Sequence, residues 1–335
     1  DACFDLAEDS NVTLRDGEMN DCNSDGNSWG GAIVNYPGST TGALTLENIE
    51  ISDSMVNLIS VDFEDVWISN LTATSASSQT GTVLTAAGAG AGSTLYVFNM
   101  DATGYNSATI DSLESLYFED VDWGTATVAI APGSSSSSAA GPYVGGSSPA
   151  MMDNFTSGAL SMARTAPSMH DITVGALSIV GNSPSTSGIR GSNWDTDGIS
   201  IAGCGYNVVV EGVDTDYVAA SCSNSAAPNN LVIEDLDATY TGTMNAIYAR
   251  NSVIAIGDGS VAMPSSYDKM AKSSTNGKIV LIDVDQDGTD CESASDCVVS
   301  SSSSGGVYFG STATVRVYKL LDDGVTQDNK SAHTV

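Results

Sequence analysis

The sequence predicts an all-β chain wound into a right-handed parallel β-helix of roughly 12–14 coils. Three observations predict it. A short apolar–acidic pattern returns about every 17–24 residues, or at twice that interval. Gly, Asn, Asp and Ser cluster between the copies, where turns need them. No sustained i, i+3, i+4, i+7 pattern of apolar residues occurs.

In chain order the copies are Leu46-Glu-Asn-Ile-Glu50, Phe63-Glu-Asp-Val-Trp67, Val97-Phe-Asn-Met-Asp101, Phe118-Glu-Asp-Val-Asp122, Val210-Glu-Gly-Val-Asp214, Ile233-Glu-Asp-Leu-Asp237 and Leu281-Ile-Asp-Val-Asp285. Their central positions 48, 65, 99, 120, 212, 235 and 283 give gaps of 17, 34, 21, 92, 23 and 48. The gap of 92 leaves room for about four degenerate coils. Each copy is rich in Val, Ile, Leu and Phe at alternating positions, which is strand chemistry. A side-chain period of two turns the residue between two inward apolar positions outward. Acids such as Glu50, Asp122, Asp214 and Asp237 then recur at equivalent outward positions, as a solvated face or as a cation-binding one. Thr85-Ala-Ala-Gly-Ala-Gly-Ala-Gly92 carries too much Gly for a helix interior. Leucine-rich repeats need an LxxLxLxxN run that is missing, and a β-sandwich explains the strands without the returning signature.

The domain reading is one solenoid over 1–310 and a C-terminal extension over 311–335. The extension carries a strand-like stretch, 314–321, suited to a neighbouring domain or subunit. Residues 132–149 and Ser300–Gly306 read as Ser/Gly-rich loops projecting from the solenoid. The chain reads as a segment of a longer parent.

Charge excludes several functions. Against 41 Asp and Glu stand 10 Lys and Arg, for a net charge of −31, and Arg15 is the one basic residue in 1–163. Such a surface repels nucleic acid and anionic lipid. No apolar run approaches the roughly 18 residues of a membrane-spanning helix, so no membrane insertion is expected. The six cysteines pair by proximity as Cys3 with Cys22, Cys204 with Cys222 and Cys291 with Cys297. Metal binding is the other use of cysteine, but no CxxC occurs and His170 and His333 are remote from the cysteines. Disulfides imply an oxidising, extracellular setting. N-x-S/T sequons at Asn11, Asn70, Asn154 and Asn329 agree with it.

Gly30-Gly-Ala-Ile-Val-Asn35, before Leu44-Thr-Leu-Glu-Asn48, looks like the GGAI-type turn and strand of prokaryotic cell-surface β-helices. Together with the copies it makes the chain resemble the right-handed parallel β-helix (pectin-lyase-like) superfamily. Asn193-Trp-Asp-Thr-Asp-Gly-Ile-Ser-Ile201 is similar to the Asn-Thr-Asp-Gly-Ile motif of polygalacturonases within it. That resemblance implies Asp197 as the first catalytic acid, with Asp214 and Asp216 as the paired aspartates of an inverting hydrolase. The family's Gly-His-Gly is missing from Thr241-Gly-Thr-Met-Asn245, and Arg250-Asn-Ser252 replaces its Arg-Ile-Lys. With the set incomplete, no enzyme is expected. His170, in Ser168-Met-His-Asp-Ile172, has no nucleophile elbow beside it.

Asp283-Val-Asp-Gln-Asp-Gly-Thr-Asp290 offers Asp283, Asp285, Asp287 and Asp290 to a Ca²⁺ ion, in the spacing of a calcium loop. Its twelfth position is Ala294 where a bidentate Glu is usual, so an acidic turn pinned by Cys291 and Cys297 is the alternative. No cofactor other than Ca²⁺ is implied. The expected function is an extracellular structural or adhesive surface protein: a filament, sheath or surface-layer subunit. Its partners would be copies of itself, or other surface proteins and glycans. A carbohydrate-binding or polysaccharide-degrading β-helix is the alternative.

Overall fold

A computed structural model describes residues 3–6, 11–22, 31–35, 40–54, 57–61, 63–75, 81–87, 93–111, 115–130, 150–163, 167–181, 188–223, 227–242, 245–263, 269–293, 296–302 and 304–310. The extension 311–335 and the Ser/Gly stretch 132–149 lie outside them. Every regular element described is a strand. Pairing is parallel, save a small hairpin in which Asp285 and Gln286 face Asp290 and Thr289. The protein is a parallel β-helix.

The chain falls into two compact units, Asp1–Pro167 with Thr173–Gly175, and Ser168–Ile172 with Ala176–Val335. In the first, one ladder stacks Val12–Asn20, Thr40–Ser54, Phe63–Ser75, Thr94–Thr103, Ser115–Asp122 and Ala150–Ser157 in that order. A second stacks Phe4–Leu6, Gly31–Asn35, Asn57–Val61, Thr82–Ala87, Ser107–Asp111, Thr127–Ile130 and Leu160–Ala163. In the second unit Ile189–Ile201, Asn207–Thr215, Asn229–Thr239, Ser252–Ala262, Lys278–Gln286 and Gly306–Gly310 form the long ladder. Six copies of the sequence pattern, at Leu46, Val97, Phe118, Val210, Ile233 and Leu281, stack in these ladders.

Inward positions form columns. Leu46, Ile68, Val97, Phe118 and Met152 follow one another in register, as do Ile49, Leu71, Met100, Val121 and Phe155. All ten are buried, each worth about 1.5–3 kcal/mol of transfer free energy. Between the two columns the chain turns a corner. In the first unit the corner residues are Asp16, Asn48, Asn70, Asn99, Asp120 and Asn154, with φ between 49° and 54°. In the second they are Asp171, Asn193, Gly212, Asp235, Asp258 and Asp283, with φ between 50° and 72°. Left-handed backbone disfavours a side chain with a Cβ, and Asn, Asp and Gly bear it best.

Three expectations are corrected here. The period of two does not run through the pattern. At a left-handed corner the alternation slips by one, so Phe98 and Asn99 both face out between inward Val97 and Met100. The copy at Phe63 is one segment early: its coil turns at Asn70, and Ile68-Ser-Asn-Leu-Thr72 is the equivalent of Leu46–Glu50. Ser300 and Ser301 are strand and not loop, since Val299–Ser301 pairs with Ala271–Ser273, and Gly305 N–H bonds the Ser302 carbonyl at 3.1 Å.

Candidate functional site

Stacking brings equivalent corner residues together, and their side chains join. Asn48 Nδ2 donates to Asp16 Oδ1 at 2.8 Å, Asn70 to Asn48 at 3.0 Å and Asn99 to Asn70 at 2.8 Å. Asn154 donates to Asp120 at 2.7 Å, and Asn193 to Asp171 at 2.6 Å. Beyond Asn193 the corners are Gly212, Asp235, Asp258 and Asp283, which bring no amide donor, so the ladder stops.

Where it stops there is an open groove of about 420 Å³, lined by Asn193, Trp194, Asp195, Gly212, Asp214, Asp235 and Asp237 among others. The missing side chain of Gly212 leaves the notch. Two residues past most corners lies the acid of the pattern, and here Asp195, Asp214 and Asp237 are in register on successive strands, roughly 4.8 Å apart. Ser260 Oγ closes the column by donating to Asp237 Oδ1 at 3.0 Å. The carboxyl of Asp214 is pushed above the usual range, first by partial desolvation against the coil wall and then by the charges of Asp195, Asp237 and Asp216. Glu50 and Asp122 occupy the same position in the first unit.

The residues suggested by the polygalacturonase resemblance fall at two places along neighbouring strands, and Asp214 feels the charge of Asp216. Asp214 lines the groove, aligned with Asp195, while Asp197 and Asp216 lie one turn further on. Thr196 caps that turn, its Oγ donating to the Gly198 carbonyl at 3.2 Å, and Thr215 does the same to Tyr217 at 3.2 Å. Asp216 Oδ2 accepts from Thr241 Oγ1 at 3.0 Å. Trp194-Asp-Thr-Asp-Gly-Ile199 and Val213-Asp-Thr-Asp-Tyr-Val218 are thus two copies of one coil corner.

The acidic loop closes as a hairpin. Asp285 Oδ1 accepts the Gly288 N–H at 3.1 Å, Asp287 Oδ1 accepts the Met263 N–H at 2.8 Å, Asp290 faces Asp285 across the hairpin, and Asp283 is a corner. Among the described residues no three or more of His, Cys, Asp and Glu are gathered as a metal centre. All three disulfides pair as spacing suggested, with Cα–Cα distances of 5.3, 4.9 and 5.5 Å for Cys3–Cys22, Cys204–Cys222 and Cys291–Cys297. Asn70 and Asn154 spend Nδ2 on the corner ladder, whereas Asn11 uses only Oδ1, accepting the Ala43 N–H at 3.0 Å. Asn329 and His333 lie outside the described residues.

Two features escape the sequence reading. Outward positions of the first unit bring Trp67, Tyr96 and Tyr117 into one stripe, with ring centroids 4.9 and 4.6 Å apart and Phe98 5.0 Å from Trp67. Trp67 is 42% exposed. Three aromatics on successive coils would have revealed it, had the corner register been known. In the second unit His170 contacts the hydroxyls of Ser168 and Ser192, both at 2.9 Å. The partner at position 192 is invisible without the coil length.

Among the described residues no helix is long and apolar enough to cross a membrane. A scan against family models, a search of curated proteins and a search of solved structures each return no match to this chain.

Proposed function

We propose that the chain is a structural or adhesive component of an extracellular surface, a subunit of a filament, sheath or surface layer. Its partners would be further copies of itself, or other surface proteins and glycans. The observation that carries this reading is the repetition of outward chemistry: corner amides and acids recur coil after coil. A repeating surface offers many equivalent contacts to a neighbour, and its corner amides are spent on coil-to-coil bonds. Three disulfides fit an oxidising compartment outside the cytoplasm. Membership of the pectin-lyase-like superfamily, nearest in character to prokaryotic surface β-helices, is part of the same proposal, supported by the parallel coils. Electron microscopy of the native material tests it: filaments, sheets or an ordered lattice are expected, and dispersed monomers at the native surface would overturn it.

The aromatic stripe and the acidic groove favour a second reading, a glycan-binding or glycan-cleaving β-helix. Polygalacturonate is anionic and the groove is lined by carboxylates, so no reducing-end release is expected. Release that disappears in Asp197→Asn would promote this reading over the first.

A further inference from the structure

Ser168–Val180 and Ile189–Ile201 meet at an offset of 22 residues, since Asn193 bonds Asp171 and a Cβ on Gly191 would strike the Met169 carbonyl. Trp194 Nε1 donates to that same carbonyl at 3.0 Å. On this frame His170 lies between two hydroxyls, with Nε2 2.9 Å from Ser168 Oγ and Nδ1 2.9 Å from Ser192 Oγ. All three side chains are half-buried. The offset sets Arg190 at the position beside Ser168, and the next strand sets Glu211 beside Ser192.

We propose that this is a nucleophilic serine site acting on uncharged carboxylic esters. Ser168 is the nucleophile and His170 the general base. Ser192 is a positioning residue that accepts the Nδ1–H and so leaves Nε2 free to take the Ser168 proton. A hydroxyl is a poor nucleophile until an adjacent base removes its proton, and a base is effective only when a third group fixes its ring. Arg190 supplies the positive charge for the developing oxyanion. In the step, the Ser168 Oγ–carbonyl bond forms as its proton moves to Nε2. The ester C–O bond then breaks and the leaving alcohol takes that proton. Water, deprotonated by His170, attacks the acyl-serine to release the carboxylic acid and restore the hydroxyl. The site lies on an open sheet face of an acidic protein, which suits ester groups on a larger neutral molecule and disfavours carboxylate-bearing ones.

The test is labelling of the intact chain with a fluorophosphonate, whose fluoride is displaced by an activated serine, with the adduct located by peptide mass spectrometry. An adduct on Ser168 is expected, absent in Ser168→Ala and formed at least about 100-fold more slowly in His170→Gln. Ser192→Ala should slow labelling and move its pH profile, and Ser192→Thr should restore both. Acyl-Ser168 trapped from p-nitrophenyl acetate in the unmodified chain is also expected, and needs no variant to fold. No Ser168 adduct from either reagent overturns the proposal, as does an adduct on Ser192 instead, or a labelling rate indifferent to His170→Gln.

Discussion

Asn70 holds its backbone at φ 51° and uses both ends of its amide, donating to Asn48 and accepting from Asn99. Asn70→Gly keeps the corner but loses both bonds, each worth about 1 kcal/mol net. Asn70→Ala loses the bonds and adds the left-handed penalty of about 1–2 kcal/mol. Denaturant unfolding should therefore rank native above Gly above Ala, and equal stability of the two variants would refute the corner strain. Tyr105 offers the opposite case. Burial pushes its hydroxyl up to about 12, with the Ser54 hydroxyl as a weaker opposing influence. Ser54 gives its proton to the Asn57 carbonyl at 3.2 Å, and although it lies near enough to lower the Tyr105 hydroxyl slightly, that hydroxyl makes no hydrogen bond of ordinary geometry. Tyr105→Phe should leave the melting temperature unchanged or raise it, because an unsatisfied buried hydroxyl costs about 1–3 kcal/mol; a clear loss of stability would mean the hydroxyl is satisfied after all.

At the level of the coil, strand identity was legible because inward Val, Ile, Leu and Phe recur in sequence. The corner was half legible: Asn48, Asn99 and Asp120 stood out as the centre of the pattern, but their left-handed backbone did not. Asp65 and Asn70 look alike in sequence, and only stacking against Asn48 and Asn99 selects Asn70. Loop lengths vary from coil to coil, so no fixed period reveals that Asp195, rather than Asp197, aligns with Asp214, or that His170 meets Ser192. Disulfides were legible because short loops bring their ends together at small entropic cost. Cys3–Cys22 ties Phe4–Leu6 and Val12–Asn20, the first strand of each ladder in the first unit, and closing its 19-residue separation is worth about 3 kcal/mol in the chain-entropy model. Cys3→Ser with Cys22→Ser should lower stability by about that amount and raise hydrogen exchange first in Val12–Asn20. Exchange rising evenly through the unit would mean that this coil does not open on its own.

Charge is set by the whole chain, and −31 must be reconciled with columns of acids in register. Two unit charges 4.8 Å apart repel by about 0.9 kcal/mol in bulk water, and by more beside a low-dielectric wall. A few such pairs rival the roughly 5–15 kcal/mol of net stability typical of a domain. The ion pair of Arg15 with Glu47 at 2.7 Å relieves part of it. Asp214 reports part of it: desolvation first, and then the charges of Asp195, Asp237 and Asp216, raise its folded carboxyl above its unfolded value. The folded state then binds more protons between those two values, so stability falls as pH rises through that window and is recovered on mild acidification. Asp214→Asn, which keeps the shape and removes the charge, should raise the melting temperature at pH 7 and flatten this dependence. Mobile cations should do the same for every column at once. Melting temperature should climb with NaCl, and light scattering with it, as screening lets like-charged copies approach. Ca²⁺ distinguishes two forms of relief. If divalent ions only screen, CaCl₂ matched to NaCl in ionic strength should give much the same gain, and chelator should matter only in low salt. A gain that saturates at low Ca²⁺ and vanishes in Asp287→Asn would instead locate a discrete site in the hairpin. Melting and scattering indifferent to both salts would show that the acid columns carry no net repulsion, and would remove the physical basis for cation-dependent assembly.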